Sequence, residues 1–148
     1  MPEWSEPCVS PIVAALVDRL AGDRDLDAVT DATRTLTVGE LVDGASRLAA
    51  RLADSPAEQA AVVLVDRSVA SLQAIFGVQW AARPLVTLDV DEPISRLSDV
   101  IERLGSVSVV DATGRGPMEL GSQRVIRTAE LPATYVDPLV GDPDGIGS

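Results

Sequence analysis

Residues 78–97, VQWAARPLVTLDVDEPISRL, contain a strand and a helix in immediate succession. The run PLVTLD (84–89) is largely apolar and ends in an acid, which predicts a strand with its carboxyl end at the surface. Pro93 suits the first turn of a helix, because its missing N–H needs no partner there. A strand that leads directly into a helix indicates an α/β layered fold. The predicted helix buries one stripe, made of Leu97, Val100, Ile101 and Leu104.

The segments on either side extend this pattern. AAVVLVD (60–66) is a nearly continuous apolar run, as expected of a strand buried on both faces of a parallel sheet. SVSVVD (106–111) predicts a further strand. The order strand, helix, strand, helix, strand predicts α/β architecture with a parallel, doubly wound sheet, right-handed crossovers and flanking helices. Residues 69–82, between the first two strands, are predicted to be a helix. The residues with helical spacing are Leu72, Ile75, Phe76 and Gln79.

A separate group of elements precedes the sheet. Ser10 and Pro11 predict the N-cap and first residue of a short N-terminal helix that ends at Gly22. LDAVTD (26–31) and RTLT (34–37) predict a β-hairpin with a tight turn. The apolar face of the N-terminal helix consists of Ile12, Val13, Leu16, Val17 and Leu20.

A longer amphipathic helix is predicted after the hairpin. Thr37 and Glu40 have the spacing of a capping box, in which each side chain accepts a hydrogen bond from the other residue's backbone N–H. Asp43 and Arg47 are expected to pair across one turn on the outer face. The inward residues are Leu41, Val42, Ala45, Leu48, Ala49 and Leu52.

The patterns divide the chain into two parts. Residues 1–55 hold the N-terminal helix, the hairpin and the second helix, and residues 60–148 hold a parallel βαβαβ unit with an irregular tail. SPAEQ (55–59) is the candidate linker between them. Composition further divides the tail into a loop at 112–123, a short strand at 124–128 and an irregular end at 136–148.

Composition narrows the classes of partner. The chain has 148 residues, of which 46% are hydrophobic and 24% charged, enough for a packed core. Its net charge is -11, and every positive charge is an arginine because there is no lysine or histidine. This acidic balance argues against nucleic acid or an anionic membrane as a partner, because phosphates would be repelled.

Cysteine usage and the N-terminus bear on the compartment. Cys8 is the only cysteine, so no internal disulfide can form, and no histidine is present to activate it as a nucleophile. The first residues have no basic leader, and the apolar run that follows is interrupted by Asp18 and Arg19. We therefore expect a cytoplasmic protein without a signal peptide or a membrane span.

The acids at the strand ends are the candidates for metal binding. Asp89, Asp91 and Glu92 follow a predicted strand and contain the oxygen ligands of a magnesium site. Acids at the carboxyl end of a strand are more often solvated corner residues, so the structural interpretation is preferred. Zinc is disfavoured, because its sites are built from histidine and cysteine.

Catalytic and phosphate-binding patterns are also weak. Asp66, Asp89 and Asp111 at successive strand ends are similar to a phosphate-receiver domain, but that chemistry needs a lysine, which the chain lacks. The segment GRG (114–116) is an isolated Gly-x-Gly, too short for a dinucleotide fingerprint. Ser68, Ser71 and the other serines have no general base. We therefore predict no catalytic, cofactor-binding or metal-binding residue in this chain.

Two motifs nevertheless resemble a known family. LTVGEL (36–41) resembles the first core motif of adenylate-forming enzymes, with Val38 in place of a tyrosine, and residues 78–97 resemble the second. The departures in the second motif are Ala82 for a glycine, Leu85 for a tyrosine, Thr87 for a proline and Val90 for another proline. The matches are Ala81, Val86, Leu88, Asp89, Pro93, Arg96 and Leu97.

The segments around these motifs fit the same family, the acyl-CoA synthetases, nonribosomal peptide synthetase adenylation domains and luciferases. VLVDRSVASLQAIFGVQW (63–80) resembles the family's strand, Arg-Ser turn and helix. The resemblance runs from about Ile12 to Gly114, and the order and spacing of the motifs make it fairly specific. The Arg-Leu pair after Pro93 is more similar to the branch that loads carrier proteins.

The resemblance implies a reaction for a parent enzyme. A carboxylate or amino acid attacks ATP, with magnesium, to give an acyl-adenylate, and a carrier-protein or CoA thiol then takes the acyl group. GDPDGIGS (141–148) resembles the phrase that precedes the family's phosphate-binding loop, so the chain is expected to be an incomplete N-terminal part of an adenylation domain, truncated before that loop. The resemblance also implies that Asp89 anchors the corner between the strand and the helix, and that Arg96 bonds Asp89 or loop carbonyls.

Alone, the chain is then expected to be non-catalytic and to need the remainder of the domain or a complementary chain as a partner. In the family, the first helix and the hairpin pack on a different sheet from the units after residue 60. Two alternatives stay open from the sequence: a non-catalytic scaffold or interaction module derived from such a domain, and a generic flavodoxin-like domain with another ligand.

Overall fold

The computed structural model describes residues 22–121 and 123–131, together with positions 11, 14, 15 and 18. Those isolated positions are helical, as are residues 22 and 23, in agreement with the predicted N-terminal helix. Its predicted N-cap and apolar face, Cys8 and the end of the tail lie outside the described residues. No helix in the described part of the chain is both long and apolar enough to cross a membrane.

The hairpin and the long helix after it form as predicted. Strands β1 (Asp27–Thr30) and β2 (Thr35–Thr37) pair antiparallel, and helix α1 (Val38–Leu52) follows at once. The capping box is present: Thr37 N donates to Glu40 Oε1 at 2.9 Å, and Glu40 N donates to Thr37 Oγ1 at 3.1 Å. All six residues that the periodicity placed inward are buried.

The second sheet has five strands in the order β4-β3-β5-β7-β6. The first four run parallel, and β6 pairs antiparallel with β7. This confirms the predicted α/β fold with a parallel sheet. Its elements are β3 (Ala61–Val65), α2 (Val69–Trp80), β4 (Leu85–Asp89), α3 (Ile94–Leu104), β5 (Ser108–Asp111), β6 (Glu119–Leu120), β7 (Gln123–Arg127) and a 3-10 turn (Thr128–Glu130).

Helices cover both faces of this sheet. On one face, Val63 of β3 packs in an apolar cluster with Ala74 and Val78 of α2. On the other face, Leu64 packs with Leu97 and Ile101 of α3. Alternate residues of β3 therefore face opposite helices, and this explains why its apolar run is continuous rather than alternating.

Helix α1 packs against α2 rather than standing apart. A Cβ atom added at Gly77 of α2 would lie 2.9 Å from the carbonyl oxygen of Ala45 and 2.9 Å from Leu48 Cβ, so only glycine permits this approach. Leu48 and Leu52 of α1 join the cluster that also holds Val63. The division of the chain into residues 1–55 and 60–148 stays a prediction. One apolar cluster contains residues from both parts.

The helix predicted at 69–82 is confirmed as α2, but the residues that carry its helical pattern do not form its buried face. Leu72, Ile75, Phe76 and Gln79 are only half-buried. Apolar residues surround this helix, so periodicity selects no face, and the close approach of α1 at Gly77 decides which side is buried. The buried positions are Val69, Ser71, Ala74, Gly77, Val78 and Trp80.

Three smaller expectations also needed correction. Asp43 pairs with Arg24, which precedes β1, and not with Arg47, because the fold brings Arg24 to the first turns of α1. In α3, Leu97 and Ile101 are buried, but Leu104 is 42% exposed at the last turn of the helix. The predicted loop at 112–123 contains β6, whereas the short strand predicted at 124–128 is confirmed as β7.

The turn between α2 and β4 carries an unusual alanine. Ala82 has a φ of 57°, in the left-handed region where the family motif has glycine. The hydrogen bonds Arg83 N to Val78 O (3.2 Å) and Ala82 N to Gln79 O (3.0 Å) define a Schellman ending of the helix. The alanine therefore occupies a position that favours glycine.

Candidate functional site

The acids that end the strands share one local structure. In each case a carboxylate oxygen accepts the backbone N–H two residues further on, which is an Asx turn. Three of these aspartates lie at the carboxyl edge of the parallel sheet, and the fourth lies in the hairpin turn. The bonds are Thr33 N to Asp31 Oδ1 (2.8 Å), Ser68 N to Asp66 Oδ1 (3.0 Å), Asp91 N to Asp89 Oδ1 (2.9 Å) and Thr113 N to Asp111 Oδ1 (2.8 Å). The expectation that Asp89 anchors a corner is confirmed.

Asp111 organises the loop after β5. Its side chain is buried, and Oδ1 also accepts from the Thr113 hydroxyl at 2.7 Å and from Gly114 N at 3.2 Å. The other oxygen, Oδ2, accepts from Gly116 N at 2.9 Å. These bonds satisfy a buried carboxylate and wrap residues 112–116 around it.

This wrapping directs Arg115 across the edge of the sheet. Its Nη1 donates to Asp91 Oδ1 at 2.8 Å, and its Nη2 donates to Asp66 Oδ2 at 3.2 Å. Both bonds raise the pKa of Arg115, with Asp91 contributing more. Hydrogen bonds from Ser68, Ser71 and Arg115 lower the pKa of Asp66, against the opposing effect of partial burial.

Asp31 ties the hairpin to the sheet unit. Its Oδ2 accepts the N–H of Val69, the first residue of α2, at 2.8 Å. Its Oδ1 accepts from Thr33 N and from Arg34 N, the latter at 2.9 Å. These backbone donors, with Val69 first, hold the pKa of Asp31 well below its ordinary value. The carboxylate thus caps a helix that begins 38 residues later.

The candidate nucleophiles have structural partners. Ser68 Oγ accepts from Ser71 N at 3.2 Å, which is the N-cap bond of α2. Ser71 Oγ donates to Asp66 Oδ1 at 3.0 Å and accepts from Asp66 N at 2.9 Å. Both hydroxyls therefore fix the start of the helix.

These groups surround a cleft of about 680 Å³. Four carboxylates and two guanidinium groups contribute to its wall, so its charge is net negative. The lining residues are Asp31, Ala32, Thr33, Val65, Asp66, Arg67, Ser68, Asp89, Asp91 and Arg115.

The cleft does not fit the ATP and magnesium that the resemblance implies. An ATP phosphate would meet four carboxylates, three of which already accept backbone N–H groups. Residues 22–121 and 123–131 contain no group of three or more acids, cysteines or histidines that could hold a metal. Of the magnesium candidates, Asp91 pairs with Arg115 and Glu92 with Arg96.

The pairing of Arg96 differs from the expectation. Its Nε lies 2.9 Å from Glu92 Oε1, so it bonds neither Asp89 nor loop carbonyls. Glu92 and Arg96 are four residues apart at the start of α3, and this spacing makes their side chains neighbours. Arg115 was missed altogether. The repeated Asp-x-Thr/Ser at 31–33, 66–68 and 111–113 marks Asx turns, but it gives no signal that Arg115 connects their loops.

Comparison with known proteins agrees with this architecture. No protein-family model matches the chain. The chain is 36% identical over 106 residues to the beauvericin nonribosomal cyclodepsipeptide synthetase BEA1 of Gibberella fujikuroi, covering 68% of this chain and 3% of that protein. The chain spans only 2% to 3% of the length of the curated relatives it matches.

Solved structures share the fold. The nonribosomal peptide synthetase FmoA3, in a form with bound α-methyl-L-serine-AMP, superposes with a TM-score of 0.71 at 19% identity, over 88% of this chain and 15% of that chain. This chain is a relative of the adenylate-forming enzymes. It matches their N-terminal portion, as the two core motifs indicated.

A second adenylate-forming relative extends the comparison. Holo-PA1221, a nonribosomal peptide synthetase protein with adenylation and PCP domains bound to a vinylsulfonamide inhibitor, has a TM-score of 0.67 at 17% identity. The match covers 90% of this chain and 23% of that chain. The fold described above is therefore found within much longer adenylate-forming proteins.

Proposed function

We propose that these residues form the N-terminal scaffold of an adenylate-forming ligase that loads a carrier protein. In this reaction a substrate carboxylate attacks the α-phosphate of ATP, releasing pyrophosphate and forming an acyl-adenylate. A phosphopantetheine thiol then attacks the acyl carbon, giving a thioester and AMP. The observation that carries the proposal is the match of sequence motifs, strand order and fold to the N-terminal portion of such enzymes.

The scaffold role follows from the hydrogen bonds at the carboxyl edge. Phosphoryl chemistry requires positive charge and N–H donors directed at the phosphates. Here the acids accept backbone N–H groups or pair with Arg115, the Ser68 hydroxyl caps α2, and the Ser71 hydroxyl bonds Asp66. The phosphate-binding and acyl-binding groups are therefore assigned to other parts of the intact protein.

The carrier-loading branch is preferred over CoA ligases for two reasons. Arg96 and Leu97 follow Pro93 as in that branch. The curated relative is a nonribosomal synthetase, and holo-PA1221 contains a PCP domain beside its adenylation domain. An amino or hydroxy acid is the proposed substrate class, and a carrier protein is the proposed acceptor.

ATP–pyrophosphate exchange tests this function. The intact protein that carries these residues should exchange pyrophosphate with at least one acid from a panel of amino, hydroxy and aryl acids. The 148-residue chain alone should not exchange with any. Exchange by the isolated chain would overturn the scaffold role. An intact protein that neither exchanges nor binds ATP would overturn the ligase and favour the non-catalytic module.

A further inference from the structure

Arg115 connects loops that follow three different strands. It belongs to the loop after β5, and it pairs with Asp66 after β3 and with Asp91 after β4. Within residues 22–121 no other arginine forms an ion pair across the cleft. The connection is exposed: the Arg115 side chain is 51% accessible and that of Asp91 is 67% accessible.

The loop around Arg115 is preformed without these ion pairs. Asp111 accepts from the backbone of Thr113, Gly114 and Gly116 within residues 112–116. Gly114 has a φ of 74°, which gives the loop its bend. The loop conformation thus depends on a buried carboxylate, whereas its attachment across the cleft depends on exposed charges.

We propose that the Arg115 side chain is an electrostatic strap across the carboxyl-edge cleft, held closed by its ion pairs with Asp66 and Asp91. Exposed ion pairs are individually weak, so the strap opens locally while the loop and the sheet stay folded. Opening frees the carboxylates of Asp66 and Asp91 and uncovers the space between the loops after β3 and β4. The inference stands on these contacts and is independent of the proposed function.

Hydrogen exchange measured by mass spectrometry on the intact protein provides the test. The N–H groups of Ser68 and Asp91 are the reporters, since each is bonded to an aspartate beside the strap. Arg115→Gln should accelerate exchange in peptides covering 66–68 and 89–93 by about three- to tenfold, the range that two exposed ion pairs allow. Arg124→Gln is the matched control, because Arg124 is an exposed strand residue without an ion pair to any described residue.

Salt and a second variant make the outcome decisive. Raising the salt concentration from about 0.05 to 1 M shortens the screening length, so it should accelerate the same peptides in the unsubstituted protein but not in Arg115→Gln. Asp91→Asn should give a smaller acceleration, because the pair with Asp66 remains. Equal exchange in the unsubstituted protein and both variants would overturn the strap. Acceleration spread over β3 and β5 would also overturn it, since that indicates loss of the fold.

Discussion

Arg83 and Arg115 connect separate segments at opposite ends of the parallel sheet, and they do so by different kinds of contact. At the amino end, Arg83 is half-buried and donates to neutral carbonyls of Ala81 (2.9 Å), Leu52 (3.1 Å) and Ser55 (2.9 Å). At the carboxyl end, Arg115 is exposed and pairs with two carboxylates. Arg83 therefore acts through partly buried hydrogen bonds, and Arg115 acts through solvent-exposed ion pairs.

We therefore expect Arg83 to contribute to the free energy of unfolding and Arg115 to affect only the loops that it connects. Arg83 joins the last turn of α1 to the α2–β4 turn, so its loss removes the donor from Ser55 O and Ala81 O, whereas Leu52 O keeps the N–H and hydroxyl of Ser55. Arg115 joins loops whose Asx turns form without it. Its loss therefore leaves the carboxylates of Asp66 and Asp91 to be solvated by water. The predictions below test that contrast, beginning with the largest expected effect.

Replacing Arg83 with methionine should cost the most. The change keeps an apolar stem but removes three hydrogen bonds, and it leaves the partly buried carbonyls of Ser55 and Ala81 without this donor, for about 2–4 kcal/mol of unfolding free energy. Urea unfolding would measure the loss. Arg51→Met, at an exposed arginine in the last turn of α1, is the control and should cost under about 0.5 kcal/mol. Similar losses for the two variants would contradict the amino-end account.

Ala82→Gly should stabilise the same end by about 1 kcal/mol. Glycine adopts the left-handed conformation of the Schellman turn without the steric penalty that alanine has there. The expected result is a higher urea midpoint with an unchanged slope. Ala53→Gly, at the right-handed cap of α1, should be destabilising and serves as the opposite control. A destabilising Ala82→Gly would show that the turn carries no strain.

Asp31 should make the docking of the hairpin sensitive to acid. Its pKa is lower in the folded state than in the unfolded chain, so the unfolded chain binds the proton first. The contribution of Asp31 is complete above its ordinary pKa of about 3.9 and is lost as the pH falls below that value. Asp31→Asn should flatten the pH dependence of stability below about pH 4, measured by urea unfolding at a series of pH values. An unchanged slope in Asp31→Asn would contradict this assignment.

Arg115→Gln should have the smallest effect on global stability, below about 1 kcal/mol, because both ion pairs face solvent. Chemical denaturation would check this value. A loss as large as that of Arg83→Met would erase the contrast between the two ends.

The elements of the fold were largely predictable because their patterns are local. The continuous apolar run at 60–66 predicted a strand covered on both faces, and Thr37 with Glu40 predicted the helix start. The buried face of α2 was not predictable, since its apolar residues lie on all sides and Gly77 faces α1 only in the folded chain. Periodicity gives no information about such a contact.

The site was less predictable because its contacts are long-range. The repeated Asp-x-Thr/Ser triplets were sufficient to predict the Asx turns at Asp31, Asp66 and Asp111 but not the one at Asp89, and spacing alone left the acids open as metal ligands. Arg115 lies 49 residues from Asp66 and 24 from Asp91, so no local pattern joins them. Arg24 and Asp43 illustrate the same limit at the hairpin.

The double substitution Asp66→Asn/Asp91→Asn, assayed by ATP–pyrophosphate exchange in the intact protein, tests most directly whether the acidic cleft is scaffold. Asparagine keeps an oxygen for the Asx turn but removes the charge. The scaffold account predicts an exchange rate within about threefold of the unsubstituted protein. A loss of about 100-fold or more, in the range that general acid–base groups contribute, in a variant that remains folded would contradict it.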